Sequence, residues 1–329
     1  MERYDRGEQV GEGTYGVVYR AKDKKSGEEV AIKKIRRGPD VEGVHWTALR
    51  EIKLLKEIRH PNIVQLMNVY PYSDTVCLVF ELCLADLEAV VRAKDLTLKL
   101  GDIKSYLQMI LRGVEACHSS FVLHRDIKPN NLLVGVDYQL KLGDFGLARV
   151  FGSPDHRLSH QVVTRWYRSP ELLYGASEYS VGVDMWSIGC VFGELMVRAP
   201  MFPGESDLDQ LGKIFQTLGT PSEDSWPGMT SLPSYLPFQE TPGQSLDEEF
   251  GYAGKEGVDL LAALLRFDPA ARPTASEALR HAFFSSGEAL TEPADLPRPW
   301  EVASRVPTAS PISSYAANGR VNDGRRLQF

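Results

Sequence analysis

Cysteine is scarce: four thiols, Cys77, Cys83, Cys117 and Cys190, stand far apart and inside apolar stretches. Neither a disulfide framework nor a paired-cysteine metal spacing can be built from them, which points to a reducing compartment. No apolar run approaches the length that crosses a bilayer, and the opening Met-Glu-Arg-Tyr-Asp-Arg does not read as a secretory leader, so no membrane partner is expected. Internal repeats and long low-complexity blocks are missing as well. Positive charge is not in excess: 37 Lys and Arg stand against 44 Asp and Glu, a net charge of −7 that argues against direct nucleic-acid binding. What remains is an ordinary soluble composition, 43% hydrophobic and 25% charged. At 329 residues the chain exceeds the usual size of one core, so two lobes are expected.

The segment 124–146 concentrates the chemistry. Two short apolar runs, 132–134 and 140–142, flank the turn signal Gly135-Val-Asp137, and a hairpin is expected. Asp126, Lys128 and Asn131 precede the first run and Asp144 follows the second. Pairing the runs would let Asn131 and Asp144 converge at one end of the hairpin. An amide and a carboxylate beside a third acidic group form an oxygen site for a hard cation, suited to Mg²⁺ with phosphates. Any one of these residues alone could be the polar end of a surface hairpin. The combination His-Arg-Asp-x-Lys-x-x-Asn, followed thirteen residues on by Asp-Phe-Gly, resembles the catalytic loop and metal-binding segment of eukaryotic protein kinases.

Upstream, Gly11-Glu-Gly-Thr-Tyr-Gly16 is a glycine-rich turn whose backbone can approach phosphates closely. Dinucleotide folds use the same spacing, but there a helix follows, whereas strand signals follow here. Residues 30–33 read as a strand carrying Lys33 among apolar neighbours. Residues 44–58 read as a helix with an apolar stripe at Ala48, Ile52 and Leu55, and Glu51 falls within it. A carboxylate on a core-facing stripe is costly unless paired. Lys33 is its natural partner, as in the kinase lysine–glutamate pair. Strands at 63–66 and 76–80 complete a small, mostly antiparallel sheet, and Glu81-Leu82-Cys83 reads as a hinge offering backbone groups to adenine.

The rest reads as mostly helical. Helices are expected at 102–118, 260–267 and 275–284, and at 183–196, which is apolar nearly all round and therefore buried. Asp184 at its start is expected to orient the catalytic-loop backbone, and Arg272 to pair with Glu171 of Ser169-Pro-Glu171, where kinases usually carry Ala-Pro-Glu. From Ser285 the composition shifts to Pro, Ser, Ala, Gly and Arg, so 285–329 is expected to be a disordered or partner-docked tail. Leu296-Pro-Arg-Pro299 reads equally as an extended docking segment or as passive tail.

The resemblance implies an α+β, bilobal protein kinase fold: an N-lobe over 1–82, a C-lobe over 83–284 and the tail beyond. Thr47-Ala-Leu-Arg-Glu51-Ile is similar to the cyclin-contacting helix of cyclin-dependent kinases, and Val162-Val-Thr-Arg-Trp-Tyr-Arg168 to their substrate platform. Lys128-Pro-Asn-Asn-Leu-Leu, Phe151-Gly-Ser-Pro154 with Ser159-His-Gln-Val-Val-Thr, and Gly204-Glu-Ser-Asp-Leu-Asp-Gln210 resemble the CDK-activating subclass, which also serves as the kinase of transcription factor IIH. The resemblance implies a serine/threonine kinase using ATP and Mg²⁺. Asp126 would act on the substrate hydroxyl, Lys128 on the transferred phosphate, and Lys33, held by Glu51, on the ATP phosphates. The expected metal ligands are Asn131 and Asp144. The expected ATP contacts are Val10, Gly11, Glu12, Gly13, Thr14, Tyr15, Gly16, Val17, Val18, Ala31, Lys33, Phe80, Glu81, Leu82, Cys83, Asp86, Leu133 and Asp144.

Regulation is implied in the same way. Leu55, Leu66, His124 and Phe145 resemble the stacked spine of the active arrangement. Arg50, Arg125 and Arg149 match a pocket for an activation-loop phosphate on Ser159, with Ser153 as a second site, and Thr14 and Tyr15 match an inhibitory pair. A cyclin H-like partner is implied, with a third assembly factor and transcription factor IIH beside it. The implied substrates are other cyclin-dependent kinases and the C-terminal repeats of RNA polymerase II, and the implied location is the nucleus, with the cytoplasm as a second. Two rivals stand. Thr14-Tyr15 favours a cell-cycle kinase acting on general Ser/Thr-Pro sites, and a non-catalytic kinase-fold scaffold would need degenerate catalytic residues, of which none is missing.

Overall fold

Period-two burial builds the small lobe. In the computed structural model, which describes residues 3–13, 16–35, 46–73, 75–151 and 164–300, strands β1 (Tyr4–Gly13), β2 (Gly16–Asp23), β3 (Glu29–Ile35), β4 (Leu66–Tyr72) and β5 (Thr75–Glu81) form an antiparallel sheet in the order β1-β2-β3-β5-β4. Along β3, Val30 and Ile32 turn to an outer cluster with Tyr4, Ala21, Cys77 and Val79. Ala31 and Lys33 therefore face the opposite side, toward the other lobe. Helix α1 (Trp46–Glu57) covers that side and buries Glu51, Leu54 and Leu55. Ile58, one residue beyond, is buried with them. The apolar stripe is thus carried by Leu54, Leu55 and Ile58; Ile52 is only half-buried, and the Ala48 side chain lies outside the described residues.

Strand β6 (Cys83–Asp86) leaves the hinge, helix α2 (Leu87–Arg92) follows, and α3 (Leu100–Ser119) runs through the large lobe. The short β7 (Val122–Leu123) pairs with β10 (Arg149–Val150). Between them β8 (Leu132–Gly135) and β9 (Leu140–Leu142) form the expected hairpin, in register Leu132↔Leu142, Leu133↔Lys141 and Val134↔Leu140, with β6 on its edge. Helices α4 (Pro170–Leu173), α5 (Gly182–Val197), α6 (Asp207–Leu218), α7 (Leu246–Phe250), α8 (Gly254–Leu264) and α9 (Ala275–Leu279) complete the lobe. Nearly every side chain of α5 is buried, among them Trp186 and Phe192, so it serves as the central post.

Three boundaries differ from expectation. Residues 63 and 64 do not join the small-lobe sheet; Val64 N–H donates to the Leu142 carbonyl at 2.9 Å, and Leu142 N–H to the Asn62 carbonyl at 2.9 Å, tying this stretch to the β8–β9 hairpin. Only the Gln65 carbonyl turns to the sheet, accepting the Glu81 N–H at 3.2 Å. Helix α8 ends at Leu264 rather than reaching Phe267, whose ring packs among Trp186, Phe215 and Trp226. The expected helix 275–284 is broken: the Thr274–Glu277 capping box starts α9 at Ala275, the helix stops at Leu279, and a separate 3₁₀ turn covers Ala282–Phe284.

The tail is also corrected. Residues 285–300 lie against this chain's own α3. The buried Lys104 ammonium donates to the carbonyls of Ser286 at 2.5 Å and Glu288 at 2.8 Å, and Ser105 Oγ donates to the Thr291 carbonyl at 2.6 Å. A Cβ on Gly101 would stand 2.5 Å from the Ala289 carbonyl oxygen, so only glycine admits the strap there. Leu296 is buried and Arg298 lies over the Tyr138 ring at 4.0 Å, so Leu296-Pro-Arg-Pro299 docks on the large lobe itself. Residues 301–329 lie outside the described residues.

Arg272 reaches Glu171 as expected, with two parallel bonds of 2.6 and 2.8 Å, and also donates to the Gly182 carbonyl at 2.8 Å. Both side chains are buried. Removing one partner of a buried pair leaves an unpaired charge. Arg272→Ala should therefore destabilise the chain by about 3–5 kcal/mol, measured by urea unfolding.

Candidate active site

The two edges of the interlobe cleft converge on Lys33. Its Nζ donates to Glu51 Oε1 at 2.9 Å and to Asp144 Oδ1 at 3.0 Å. Burial alone would push the ammonium down, but the two carboxylates hold it above its ordinary value. They share one cation unequally. Burial pushes the Glu51 carboxyl up and Lys33 only partly pulls it back. Asp144, with its side chain 36% exposed against 2% for Glu51, is held by Lys33 below the usual carboxylate range even though burial opposes this.

Asp144 sits in the left-handed region at φ 52°, where a non-glycine residue stores strain, and its carboxylate caps the 3₁₀ turn Phe145–Leu147 that follows. Phe145 is fully buried, edge-on to the His124 ring with centroids 4.9 Å apart. His124 Nε2 donates to the Gly143 carbonyl at 2.8 Å, which fixes its tautomer, because a carbonyl can only accept. Its Nδ1 accepts the Asp126 N–H at 3.3 Å. Leu55 is buried and Leu66 half-buried in the same core as Phe145, so three of the four expected spine residues share one apolar body and His124 packs on it through Phe145.

Below, Asp126 is gripped from three sides. Lys128 Nζ donates to it at 2.9 Å, Asn131 Nδ2 to its Oδ2 at 2.7 Å, and Thr164 Oγ1 to its Oδ1 at 3.1 Å. Lys128 also donates to Thr164 Oγ1 at 2.8 Å. The backbone here is set by Asp184, which accepts the N–H groups of His124 at 2.9 Å and Arg125 at 2.8 Å and the His118 ring N–H at 2.9 Å.

The donor set suits Mg²⁺ carried on phosphates. The Asn131 amide nitrogen is committed to Asp126, leaving its oxygen as the ligand, and the partly exposed Asp144 adds a carboxylate. Among the described residues no cluster of three or more His, Cys, Asp or Glu could hold a metal without help, as expected where phosphates and water complete the shell.

The expected ATP contacts fall around this cleft. Val10, Gly11, Glu12, Gly13, Gly16, Val17 and Val18 lie on the β1–β2 hairpin, closed by the pair Gly13↔Gly16; Thr14 and Tyr15 lie outside the described residues. A Cβ on Gly16 would collide with the Lys34 carbonyl. Val10, Val18, Ala31 and Leu133 are half-buried, with apolar surface left to cover a planar base. Phe80 is buried behind the hinge, and Leu82 and Cys83 follow it. Glu81 contributes more than backbone: its carboxylate accepts the Gln65 N–H at 2.7 Å and pairs with buried Lys141 at 2.9 Å. Asp86 is committed through one oxygen as the cap of α2, accepting the Ala89 N–H at 2.8 Å.

Of the arginines expected to form a phosphate pocket, Arg125 donates to the Leu147 carbonyl at 2.6 and 2.8 Å and to Tyr179 OH at 2.8 Å. Burial, then the charge of Arg125, push the Arg149 guanidinium below its ordinary value. The Arg50 side chain, Ser153 and Ser159 lie outside the described residues.

Thr164, His118 and Tyr179 were not singled out from sequence. Thr164 stands within the platform motif 162–168, but nothing local ties it to Asp126, 38 residues earlier.

Comparison with known proteins follows the same lines. The protein kinase domain family matches residues 4–284. Cyclin-dependent kinase D-1 of Arabidopsis thaliana is 53% identical over 298 residues, 91% of this chain and 75% of that protein. Cyclin-dependent kinase 7 of Dictyostelium discoideum is 49% identical over 304 residues, 91% of this chain and 84% of that protein. The structure of the CAK complex from Chaetomium thermophilum bound to ATP-gamma-S matches with a TM-score of 0.84 at 42% identity, covering 89% of this chain and 94% of that chain.

Thr164→Val keeps the shape but removes the hydroxyl that bridges Asp126 and Lys128. It should lower kcat/KM about ten- to a hundredfold, with unfolding free energy changed by less than about 1.5 kcal/mol. Steady-state kinetics and denaturant titration read the two effects separately.

Proposed function

The chain belongs to the protein kinase family and, within it, to the cyclin-dependent kinases, and we propose that it is the catalytic subunit of a CDK-activating assembly. It is a serine/threonine kinase that uses ATP with Mg²⁺. The observation that carries the chemistry is the pair of linked clusters in one cleft, Lys33–Glu51–Asp144 above and Asp126–Lys128–Thr164 below. Phosphoryl transfer asks a protein mainly for positioning and charge neutralisation. Lys33, steadied by Glu51, would bind the ATP phosphates. Asp126 would orient the substrate hydroxyl and accept its proton, while Lys128 neutralises charge on the transferred group. Mg²⁺, held by oxygens of Asn131 and Asp144, supplies further neutralisation when bound.

The proposed substrates are the activation loops of other cyclin-dependent kinases and the C-terminal repeats of RNA polymerase II. The likeness to cyclin-dependent kinases D-1 and 7 supports this reading, as does the likeness to a solved CAK complex. A cyclin H-like partner pressing on α1 would keep Glu51 against Lys33, with a third assembly factor and transcription factor IIH as the larger setting, in the nucleus and secondarily the cytoplasm. Thr14-Tyr15 favours the cell-cycle reading, in which general Ser/Thr-Pro sites are the substrates.

The test is kinase activity of the purified chain with and without a cyclin H-type partner, on a polymerase heptad-repeat peptide and on an inactive cyclin-dependent kinase. Partner-dependent phosphorylation of both, abolished by Asp126→Asn, is expected. Activity restricted to other cyclins and general Ser/Thr-Pro peptides would move the assignment to the cell-cycle class.

A phosphate on Ser159 would add roughly −1.5 to −2 charge and three acceptors opposite Arg125 and Arg149. Ser159→Ala should lower activity or loosen the partner complex. Unchanged turnover together with unchanged complex stability, by size-exclusion chromatography, would refute that role.

A further inference from the structure

The family match ends at Phe284, and the strap that follows covers a particular surface of the large lobe. Leu296, Arg298 and Trp300 share one seam with Tyr106 of α3, Val134 of β8 and Tyr138 of the β8–β9 turn, too narrow for a water molecule. Leu296 is buried there, and Trp300 packs half-buried against the same core. The strap is fastened upstream of this seam by Lys104 and Ser105, and by Thr291, whose hydroxyl donates to Asp102 Oδ1 at 2.6 Å. Those anchors deliver residues 296–300 to the seam.

Across the seam lies the floor of the ATP cleft. Leu133 and Val134 are neighbours on β8, so their side chains leave opposite faces of the strand. Val134 turns to the strap. Leu133 turns to the cleft, where a Cβ on Gly143, the residue before Asp144, would stand 2.9 Å from its Cδ1. Strand β8 also pairs with β6, in register Ala85↔Val134 and Asp86↔Leu133, and β6 leaves the hinge at Cys83. Cys83, Asp86 and Leu133, all expected ATP contacts, therefore stand on one small sheet whose rear is the seam. Its turn is tied to the hinge as well. Lys141 pairs with Asp137 at 3.0 Å and with Glu81 at 2.9 Å, and Arg298 lies over the adjacent Tyr138 ring.

Strands β6, β8 and β9 have only four, four and three residues, and Tyr138 in the turn sits at φ 60°, in the left-handed region. A sheet this small depends on what packs against it. Its cleft face must stay open for nucleotide, so the rear face carries the support. We propose that the strap is a brace for nucleotide binding. Leu296 and Trp300 are its positioning residues, acting through Val134 on the hinge strand and on the floor of the adenine site. The inference rests on the kinase assignment, under which this cleft binds ATP.

The brace acts on the base site, whereas Asp126, Lys128 and Thr164 are held by hydrogen bonds to one another. Its loss should therefore weaken nucleotide affinity and spare the transfer step. A site that is competent only part of the time binds with an apparent Kd raised in proportion, so competence of about one fifth raises it about fivefold. A strap that served stability alone would leave the affinity of the folded fraction unchanged.

The experiment compares wild type with the double variant Leu296→Ala, Trp300→Ala in the cyclin-bound enzyme. Titration calorimetry with a non-hydrolysable ATP analogue reads affinity, and steady-state kinetics on a plain Ser-Pro peptide read turnover. The double variant should show the analogue Kd and the KM for ATP both raised about fivefold. Its kcat and its KM for peptide should stay within about twofold of wild type. Leu296→Met with Trp300→Phe, which keeps the seam filled, should restore ATP affinity. Trp300→Ala alone removes a half-buried side chain and is the deciding variant if the double one folds poorly, with KM for ATP again raised. Unchanged affinity in both alanine variants, or activity lost only in step with folded protein, would overturn the proposal while leaving the kinase assignment intact. A wild-type enzyme that binds no ATP analogue would overturn both.

Discussion

Asp184 has no exposed surface, yet its carboxyl is held below the usual range. Burial works against the charge, and an ion placed there without partners would cost several kcal/mol. Three N–H donors, from His118, His124 and Arg125, outweigh it. The last two are consecutive backbone amides, so the carboxylate dictates a backbone path as well as receiving charge-assisted bonds. Arg125 accordingly sits at φ 65°, a left-handed conformation its side chain does not favour. From that bend the chain turns Arg125 outward to Leu147 and Tyr179 while Asp126 faces the cleft. The active site begins as a cost accepted at the foot of α5.

The same bend couples the lobes. His124, fixed beside Asp184, donates to the Gly143 carbonyl and packs edge-on to Phe145, so the residue between them, Asp144, is held from both flanks. Asp144 then reaches Lys33, and Lys33 reaches Glu51 on α1. A continuous path of contacts therefore runs from the large-lobe core to helix α1 of the small lobe. Its weakest step is electrostatic rather than steric: one ammonium serves two carboxylates, and Glu51, the more buried, is the less well compensated. A partner holding α1 in place, as proposed, would act at the step where the chain's own chemistry is most finely balanced.

Much of this was legible in the sequence. The hairpin at 132–142 was readable because two apolar runs and a glycine turn are local features, and Lys33–Glu51 because a carboxylate on a helical apolar stripe demands a cation. Arg272–Glu171, 101 positions apart, came from resemblance to kinases. Element ends were less legible. Helix α8 continues its apolar pattern past Leu264, but the chain must release Phe267 into the aromatic cluster around Trp186, a tertiary demand that no local period reports. Residues 63 and 64 look like any strand of the small sheet; only the partner differs, because their backbone pairs with Leu142 instead.

Several of the unforeseen contacts share a chemical cause. Lys104 binds the carbonyls of Ser286 and Glu288, and Arg198 those of Val90, Val91, Ala93 and Leu96. Arg125 binds Leu147 and His124 binds Gly143 in the same way. Every residue carries a carbonyl, so the acceptor leaves no trace in residue type. A basic side chain awaiting a backbone partner therefore looks the same as one awaiting solvent. This is why 285–300, poor in large apolar residues, reads as tail: much of its attachment comes from backbone oxygens meeting Lys104 and Ser105, with Leu296 and Trp300 as its apolar anchors. Composition measures how much apolar surface a segment can bury, and a strap fastened by its own main chain escapes that measure.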